Sequence, residues 1–229
     1  MNSRFVGLLL AMSMLGGCAV APQLPVPLSK EALAGQGSRM GVAMSALPKV
    51  DTHLPGAGCL LCLAVASAAN HSLTKHAQTL PAEDLAKLRA EAAALLRKNG
   101  NDVVVLDQDI NVSALPDFGS KEPNFARKNF ASIRDRYKID RLLVVDLEMI
   151  GFLRTYSAYI PTADPKAMVR GSAYIVNLKT HALEWFLPVD TLRSAESKWD
   201  EPPSFPGLTN AYFQAIEISR DNILKPLSN

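Results

Sequence analysis

The stretch RLLVVDLEMIGFLRTYSAYI (residues 141–160) decides the fold, because it predicts a long strand that is followed by two more. After the turn PTADPK, the segment MVRGSAYIVNL (168–178) predicts a strand that returns beside the first. The segment HALEWFLPV (181–189) then follows through a tight turn at residues 179–180. These three segments predict a meander at the centre of the protein.

Upstream of the meander, predicted helices alternate with predicted strands. The most regular helix covers residues 81–100, where an early proline and a final glycine bracket an apolar face made by Leu85, Leu88, Ala92, Leu95 and Leu96. The remaining predicted elements are strands at 39–47 and 102–108 and helices at 56–78, 124–139 and 208–227. This order predicts an α/β protein of α+β-like type, with a mixed sheet of about five strands and helices packed on it.

The amino end resembles the signal of bacterial lipoproteins. Arg4 precedes about ten mostly apolar residues (5–14), too few to span a bilayer, and the run ends as LGGC at Cys18. This ending resembles a lipobox, which implies cleavage before Cys18 and a lipid anchor on it. Ala19 stands where inner-membrane lipoproteins usually carry Asp, so the resemblance implies a periplasm-facing position at the outer membrane. The alternative is a plain secretory signal with a coincidental cysteine.

We therefore divide the chain into a signal peptide (1–17), a lipidated, proline-rich flexible tether (18–37) and one periplasmic domain (38–229). A disordered leader without a spacing role is an equal alternative for the tether. Apolar residues make up 48% of the chain and charged residues 20%, which is typical of a globular protein. The net charge of +2, with no basic cluster, argues against nucleic acid as a partner.

Several short motifs resemble the anticodon-binding-like periplasmic domain. They are VVVLDQ (103–108), YKIDRLLVVDLE (137–148) and AYIVNLKTHALEW (173–185). This domain occurs in the amino-terminal region of TolB, the curli secretion lipoprotein and the lipoprotein activators of penicillin-binding proteins. The hairpin supplies Asn177, Thr180 and Trp185, but His181 stands where the family has glycine. The resemblance implies this fold and a role in binding other proteins, and it implies no active site.

The motif GCLLC contains Cys59 and Cys62, for which three interpretations stay open. Cysteines three apart in a helical turn can form a local disulfide, and an exported chain meets an oxidising compartment. They can also be two reduced, buried thiols, or a catalytic or metal-binding pair. We favour the disulfide, and we expect the intervening Leu60 and Leu61 to be packed in the core.

Other polar residues give weak signals for chemistry. Two carboxylate pairs have the spacing that places both side chains on one strand face, as in acid–base catalysis or on a solvated face: Asp107 with Asp109, and Asp146 with Glu148. The four histidines are scattered, with His53 in a proline-flanked loop, and predict no metal site: His53, His71, His76 and His181. Without a catalytic motif, we expect no enzyme activity, cofactor or catalytic residue.

Aromatic residues concentrate near the carboxyl end, around WDEPPSFPG (199–207). They either form a core that a proline-ordered loop covers, or they include exposed anchors for a partner, with Trp185, Trp199 and Phe205 as the candidates.

The sequence thus favours a non-catalytic, lipid-anchored envelope protein that binds another periplasmic or outer-membrane protein, or its own copies. One alternative is a subunit of an oligomeric outer-membrane secretion or assembly complex. Only residues 141–178 could supply the long amphipathic hairpin that such a complex needs, and charged residues interrupt that pattern. The other alternative is a redox or metal-handling factor that uses Cys59 and Cys62.

Overall fold

A computed structural model describes residues 22–34, 37–120 and 122–228. The predicted signal peptide and the predicted lipidation site Cys18 lie outside the described residues.

Six strands form one mixed sheet, which confirms the predicted fold class. The strands are β1 Arg39–Met44, β2 Val50–His53, β3 Asp102–Val105, β4 Arg141–Leu153, β7 Lys166–Asn177 and β8 Leu183–Ser194. Along the sheet the order is β3–β1–β4–β7–β8, and β2 pairs with the far part of β4. The first three strands run parallel to their partners, whereas β4, β7 and β8 form the predicted antiparallel meander.

The predicted strand at 141–160 ends earlier than expected. After β4, a separate two-stranded hairpin forms from β5 (Tyr156–Ser157) and β6 (Ile160–Pro161). Strand β2 was not predicted, and it places His53 in a strand rather than in a loop. Its backbone lies so close to Gly151 (φ 133°) that a Cβ on this residue would collide with the carbonyl oxygen of Asp51. This close approach requires glycine in β4.

The helices are shorter and more divided than their predicted segments. The segment 56–78 is interrupted at Asn70, and the segment 124–139 is helical only in its second half. In that first half, Asn124 has φ 63° and Phe125 forms a β-bridge with Ala182, so the backbone pairs with the β7–β8 turn. The helices are α1 Lys30–Leu33, α2 Leu60–Ala69, α3 His71–Ala77, α4 Glu83–Ala86, α5 Leu88–Lys98, α6 Ala131–Tyr137 and α7 Pro206–Leu224, followed by a 3₁₀ helix at Lys225–Ser228.

The two faces of the sheet bury different clusters. On the first face, α5 packs against β1 and β3, and α7 packs against β7 and β8. Alternate residues of β4 and β7 belong to the same core, with Tyr212 fully buried among them. The apolar residues predicted for the helix at 81–100 lie in this core or, for Leu95, against it. On the second face, a smaller cluster packs under the segment 106–139, with Phe130 and Val144 among its members. This segment leaves the remainder of the second face open.

Residues 22–34, which the sequence analysis assigned to the tether, lie against the domain. Val26 and Phe186 exchange two backbone hydrogen bonds of 2.9 and 3.0 Å, so the segment pairs with the outer edge of β8. The side chain of Gln23 hydrogen-bonds to Asn124, and Leu33 is buried. This part of the predicted tether therefore does not act as a free spacer.

Candidate functional site

Helix α2 exposes several apolar side chains. Leu60 and Leu61 are 91% and 72% exposed, and Leu63 and Val65 are exposed on the same short helix. This corrects our expectation that Leu60 and Leu61 are packed in the core. Between residues 54 and 69 the chain carries no charged side chain. An uncharged, solvent-facing helix of this composition is unusual, because exposed helices normally carry polar residues on their outer face.

A small buried cluster attaches α2 to the rest of the protein. Cys62 and Ala66 face inward and pack with Ala57 and Tyr156. Asn70, which is 2% exposed, donates hydrogen bonds from Nδ2 to the carbonyl oxygen of Ala66 (2.7 Å) and to the hydroxyl of Tyr156 (2.6 Å). Its Oδ1 accepts a hydrogen bond from Arg154 Nη1 at 3.0 Å. The contacts are few and specific, so they fix the position of α2 without covering its apolar side.

The two cysteines of GCLLC stabilise the start of α2. Their sulfur atoms lie at disulfide-bonding distance, with 4.9 Å between the Cα atoms, in agreement with the favoured interpretation. Cys59 is also the N-cap residue, and its Sγ accepts a hydrogen bond from the backbone N–H of Cys62 at 2.9 Å. The bridge therefore ties the exposed Leu60–Leu61 turn to the buried side of the helix.

The β5–β6 hairpin packs under α2 at its base and exposes two more apolar side chains at its tip. Tyr156 at its base belongs to the cluster under α2, while Tyr159 and Ile160 at its tip are 60% and 58% exposed. Ala158 in the turn has φ 55°. We call the exposed apolar side chains of helix and hairpin together the α2 surface; they are Leu60, Leu61, Leu63, Val65, Tyr159 and Ile160.

A cleft of about 340 Å³ opens on the second face of the sheet. Its apolar walls come from both the sheet and the segment that crosses it. Tyr174 on β7 and Phe186 on β8 stand side by side, with ring centroids 6.2 Å apart. Phe125 and Phe130 line the cleft from the crossing segment, and Val112 lies at its border. We call this cavity the aromatic cleft.

Asp146 and Glu148 on β4 both line the aromatic cleft. A β-bulge between Leu147 and Met149 changes the register here, next to where the two carboxylates enter the cavity. Neither carboxylate forms a hydrogen bond or an ion pair with any described residue. Because both side chains line one cavity, the prediction that they share a strand face is confirmed.

Tyr174 completes the polar lining of the cleft. It is only 8% exposed, and its hydroxyl forms no hydrogen bond within the described ranges. Burial, and secondarily the charge of Asp146, raise the pKa of this hydroxyl far above its usual value. The phenol therefore stays protonated at any physiological pH.

The other predicted carboxylate pair has structural partners. Asp107 accepts a hydrogen bond from the hydroxyl of Tyr137 at 3.0 Å, and Asp109 forms an ion pair with Arg89. These contacts link α5 and α6 to the end of β3 and leave neither carboxylate in a cavity with the other.

Two of the three proposed aromatic anchors are buried. Trp185 and Phe205 are each 3% exposed and belong to the core on the first sheet face. They are therefore not surface anchors, and the core interpretation is correct for them. Trp199 is half-buried, and the guanidinium of Arg154 lies 4.6 Å from the centroid of its ring.

Tyr174 and Phe186 were not predicted as site residues. Trp185 and Phe186 are neighbours in one strand, so their side chains point to opposite faces of the sheet. The aromatic content of this segment drew attention to Trp185, which faces the helices. Alternate side chains of β8 face opposite sides of the sheet. This pattern distinguishes Phe186 from Trp185 once it is known which face the helices cover.

The histidines take part in separate local contacts. His76 hydrogen-bonds to Thr209 Oγ1 at 2.7 Å, and His181 stacks on Phe118 with a centroid distance of 3.8 Å. Across residues 22–34, 37–120 and 122–228, no three His, Cys, Asp or Glu side chains form a group that could hold a metal ion. In the same ranges, no helix combines the length and hydropathy needed to cross a bilayer.

The chain is similar to several solved structures at low identity. It is 13% identical to protein XCC0632 from Xanthomonas campestris (90% of this chain, 94% of that one, TM-score 0.40). It is 12% identical to the PelC dodecamer from Paraburkholderia phytofirmans (90% and 95%, TM-score 0.38). It is 11% identical to the lipoprotein GNA1162 from Neisseria meningitidis (79% and 99%, TM-score 0.29). Neither a protein-family model nor a curated protein matches the sequence. Similarities this weak carry no argument about function.

Proposed function

We propose that this protein is a lipid-anchored protein of the bacterial envelope that binds another envelope protein through the α2 surface. The observation that carries the proposal is the uncharged, exposed apolar face of α2, with Leu60 and Leu61 mostly in solvent. Monomeric proteins rarely expose contiguous apolar areas above a few hundred Å² unless these areas bind something. The lipobox-like LGGC at the amino end supports the anchor.

The position of the α2 surface favours a protein partner over the anchoring membrane. Val26 pairs with Phe186, which lies in register with Tyr174 and, through it, with Val144 of β4. The α2 surface adjoins the opposite end of β4, beyond Leu153. Val144 and Leu153 are nine residues apart along β4, or about 30 Å.

The chain between the proposed anchor and the domain is short. Cys18 and Pro22 are four residues apart, a reach of at most about 14 Å. With the lipid at Cys18, the bilayer lies near the Val26 end of the sheet, and the α2 surface lies at the remote end. We therefore expect the surface to face the periplasm, where the available apolar partners are proteins.

The anchor is tested by replacing Cys18. Cys18→Ala should remove the lipid and release the protein from the outer membrane into the soluble periplasmic fraction, because several acyl chains are needed for firm membrane attachment. Mass spectrometry of the wild-type protein should show an acylated amino-terminal cysteine. If the variant still fractionates with the outer membrane, or if the wild-type thiol carries no lipid, the lipid-anchor proposal is wrong.

The partner surface is tested by photocrosslinking in cells. A benzophenone amino acid at position 61 should crosslink to one defined envelope protein, whereas the same group at the exposed position 98 on α5 should not. Adding Leu60→Lys to the chain labelled at position 61 should abolish the crosslink, because a lysine there places a charge in the apolar contact.

The other possible outcomes would assign a different partner to the α2 surface. A crosslink only to a second copy of this chain would show self-association instead, and a crosslink only to phospholipid would show that α2 lies on a bilayer. Equal crosslinking from positions 61 and 98, or none from position 61, would contradict a specific partner at α2.

A further inference from the structure

Beyond the proposed function, we propose that the aromatic cleft binds an organic ammonium group carried on an apolar stem. Asp146 and Glu148 would bind the charged nitrogen, and the rings of Tyr174 and Phe186 would contact the stem and the cationic head. Two sources share this chemistry: a free alkylamine and the side chain of a lysine presented by a peptide.

The carboxylates of the cleft are available, unlike most others near the sheet. Across the described ranges, the neighbouring carboxylates bind cations of the protein itself. Asp190 pairs with Arg170 at 2.7 Å, Asp117 pairs with Lys128 at 2.8 Å, and Glu184 pairs with Arg141. Asp146 and Glu148 have no such partner, although both open into one cavity. Two adjacent carboxylates without a cation create a negative potential that favours a positively charged ligand.

The two basic residues that line the cleft bind other groups of the protein and not its carboxylates. Lys128 Nζ donates to the carbonyl oxygens of Ser113 (3.2 Å) and Leu115 (3.1 Å) in addition to its ion pair with Asp117. Arg127 Nη1 donates to the carbonyl oxygen of Ser120 at 3.3 Å. Neither cation forms an ion pair with Asp146 or Glu148, so both carboxylates stay available to a cationic ligand.

Tyr174 provides an independent indication of a ligand. Tyr174 is 8% exposed and lines the cleft, and its hydroxyl has no hydrogen-bond partner among the described residues, so it is available to a ligand. The phenol oxygen can accept a hydrogen bond from an ammonium N–H. The ring faces of Tyr174 and Phe186 can also bind a cation that lies within about 6 Å of their centroids.

The size of the cleft limits the ligand. A cavity of about 340 Å³ is at the lower end of the range for small-molecule sites. It suits one alkylammonium group or one lysine side chain, and the aromatic walls suit the methylene stem.

Calorimetric titration of the full lipidated chain in a non-ionic detergent tests the proposal. The probes are n-butylammonium, butyrate as the anion with a comparable stem, and two amino acids blocked only on the backbone, Nα-acetyl-lysine N-methylamide and Nα-acetyl-norleucine N-methylamide. We expect n-butylammonium, the lysine derivative or both to bind, and butyrate and the norleucine derivative to show no measurable binding. The ammonium probe that binds more tightly identifies the source.

Charge-neutralising variants locate the binding. Asp146→Asn with Glu148→Gln should raise the Kd of the ammonium probe at least tenfold. The matched control, Asp164→Asn with Glu201→Gln, removes the same two charges from exposed loops and should change the Kd less than twofold. Tyr174→Phe, which keeps the ring and removes only the hydroxyl, should raise the Kd several-fold.

The proposal is overturned if neither ammonium probe binds, if butyrate binds as tightly, or if the Asp146/Glu148 variant binds like the wild type. Because these changes preserve side-chain volume, circular dichroism should show the same fold for all the variants. These outcomes are independent of the photocrosslinking result at α2.

Discussion

Asn70 and Tyr156 join α2 to the β5–β6 hairpin through a buried hydrogen bond of 2.6 Å. Asn70 also contacts Ala66 and Arg154, so one side chain joins the end of α2 to the segment 154–156. We predict that Asn70→Ala lowers the free energy of unfolding by about 1–3 kcal/mol, because it leaves the buried Tyr156 hydroxyl and the Arg154 guanidinium without this partner. Urea denaturation measures the loss.

The same variant should loosen α2 selectively. Hydrogen exchange should accelerate for the amides of residues 60–69 and 156–161 and stay unchanged in α7, which packs on β7 and β8. Ser67→Ala, at an exposed position of the same helix, is the matched control and should leave stability unchanged. Uniform acceleration across the protein would contradict a local role for Asn70.

The Cys59–Cys62 bridge should contribute a small, local stabilisation. It closes a loop of only four residues, for which the chain-entropy account gives about 2 kcal/mol. Reductant should therefore lower the midpoint of urea denaturation of the wild-type protein. The Cys59→Ser/Cys62→Ser variant should start at a lower midpoint and show no further response to reductant. An identical response in both proteins would show that the bridge does not contribute.

The sheet could be predicted because its strands carry strong local signals. The meander of β4, β7 and β8 is long, apolar and punctuated by short turns, so periodicity alone identifies it. Strand β2 could not be predicted in this way. Its sequence VDTH is short and mostly polar, and the backbone of β4 beside Gly151 is what holds it in the sheet.

The candidate sites depend on which side of an element is covered, and this is a tertiary property. The sequence of α2 is apolar on all sides, which normally indicates burial, yet nothing in the described chain covers Leu60 and Leu61.

His181 could be singled out from the sequence, because it stands where the periplasmic domain that the chain resembles has glycine. Its φ of 62° explains why glycine suits this turn, and stacking on Phe118 offsets part of the strain.

Glu184 should be needed to hold the amino-terminal segment on the domain. It forms an ion pair with Arg141, whose side chain is 6% exposed and which also donates to the carbonyl oxygen of Ala32. We predict that Glu184→Ala lowers the free energy of unfolding by about 3 kcal/mol, because breaking a buried pair leaves an uncompensated charge. Thermal and urea denaturation test this value.

Removing both partners gives the control. Arg141→Met with Glu184→Leu should be less destabilising than Glu184→Ala alone, because no unpaired charge remains in the core. Limited proteolysis should cut between residues 22 and 34 faster in both variants, because Glu184→Ala removes the carboxylate that orients Arg141 and the double variant removes the contact of Arg141 with Ala32 itself. Unchanged proteolysis would show that the Val26–Phe186 pairing is sufficient to hold the segment.

Stability should fall as the pH decreases from 7.5 to 5. Burial lowers the pKa of His76, and burial together with the charge of Arg134 lowers the pKa of His181. Nδ1 of His181 is buried and has no hydrogen-bond partner among the described residues, so a proton there is poorly accommodated. In this range the unfolded chain, with histidine pKa values near 6.5, binds more protons than the folded protein. The free energy of unfolding therefore rises with pH through this window and levels off above it.

The double variant His76→Gln/His181→Asn should flatten this dependence. Glutamine can keep the hydrogen bond to Thr209, and asparagine tolerates the left-handed backbone at position 181. The matched control is His71→Gln at an exposed position of α3, which should leave the slope as in the wild type. The window lies above the pKa range of the paired carboxylates, such as Asp117 beside Lys128, so their titration does not contribute. If the double variant keeps the full wild-type slope, other groups control the pH dependence, and the buried environments of His76 and His181 do not.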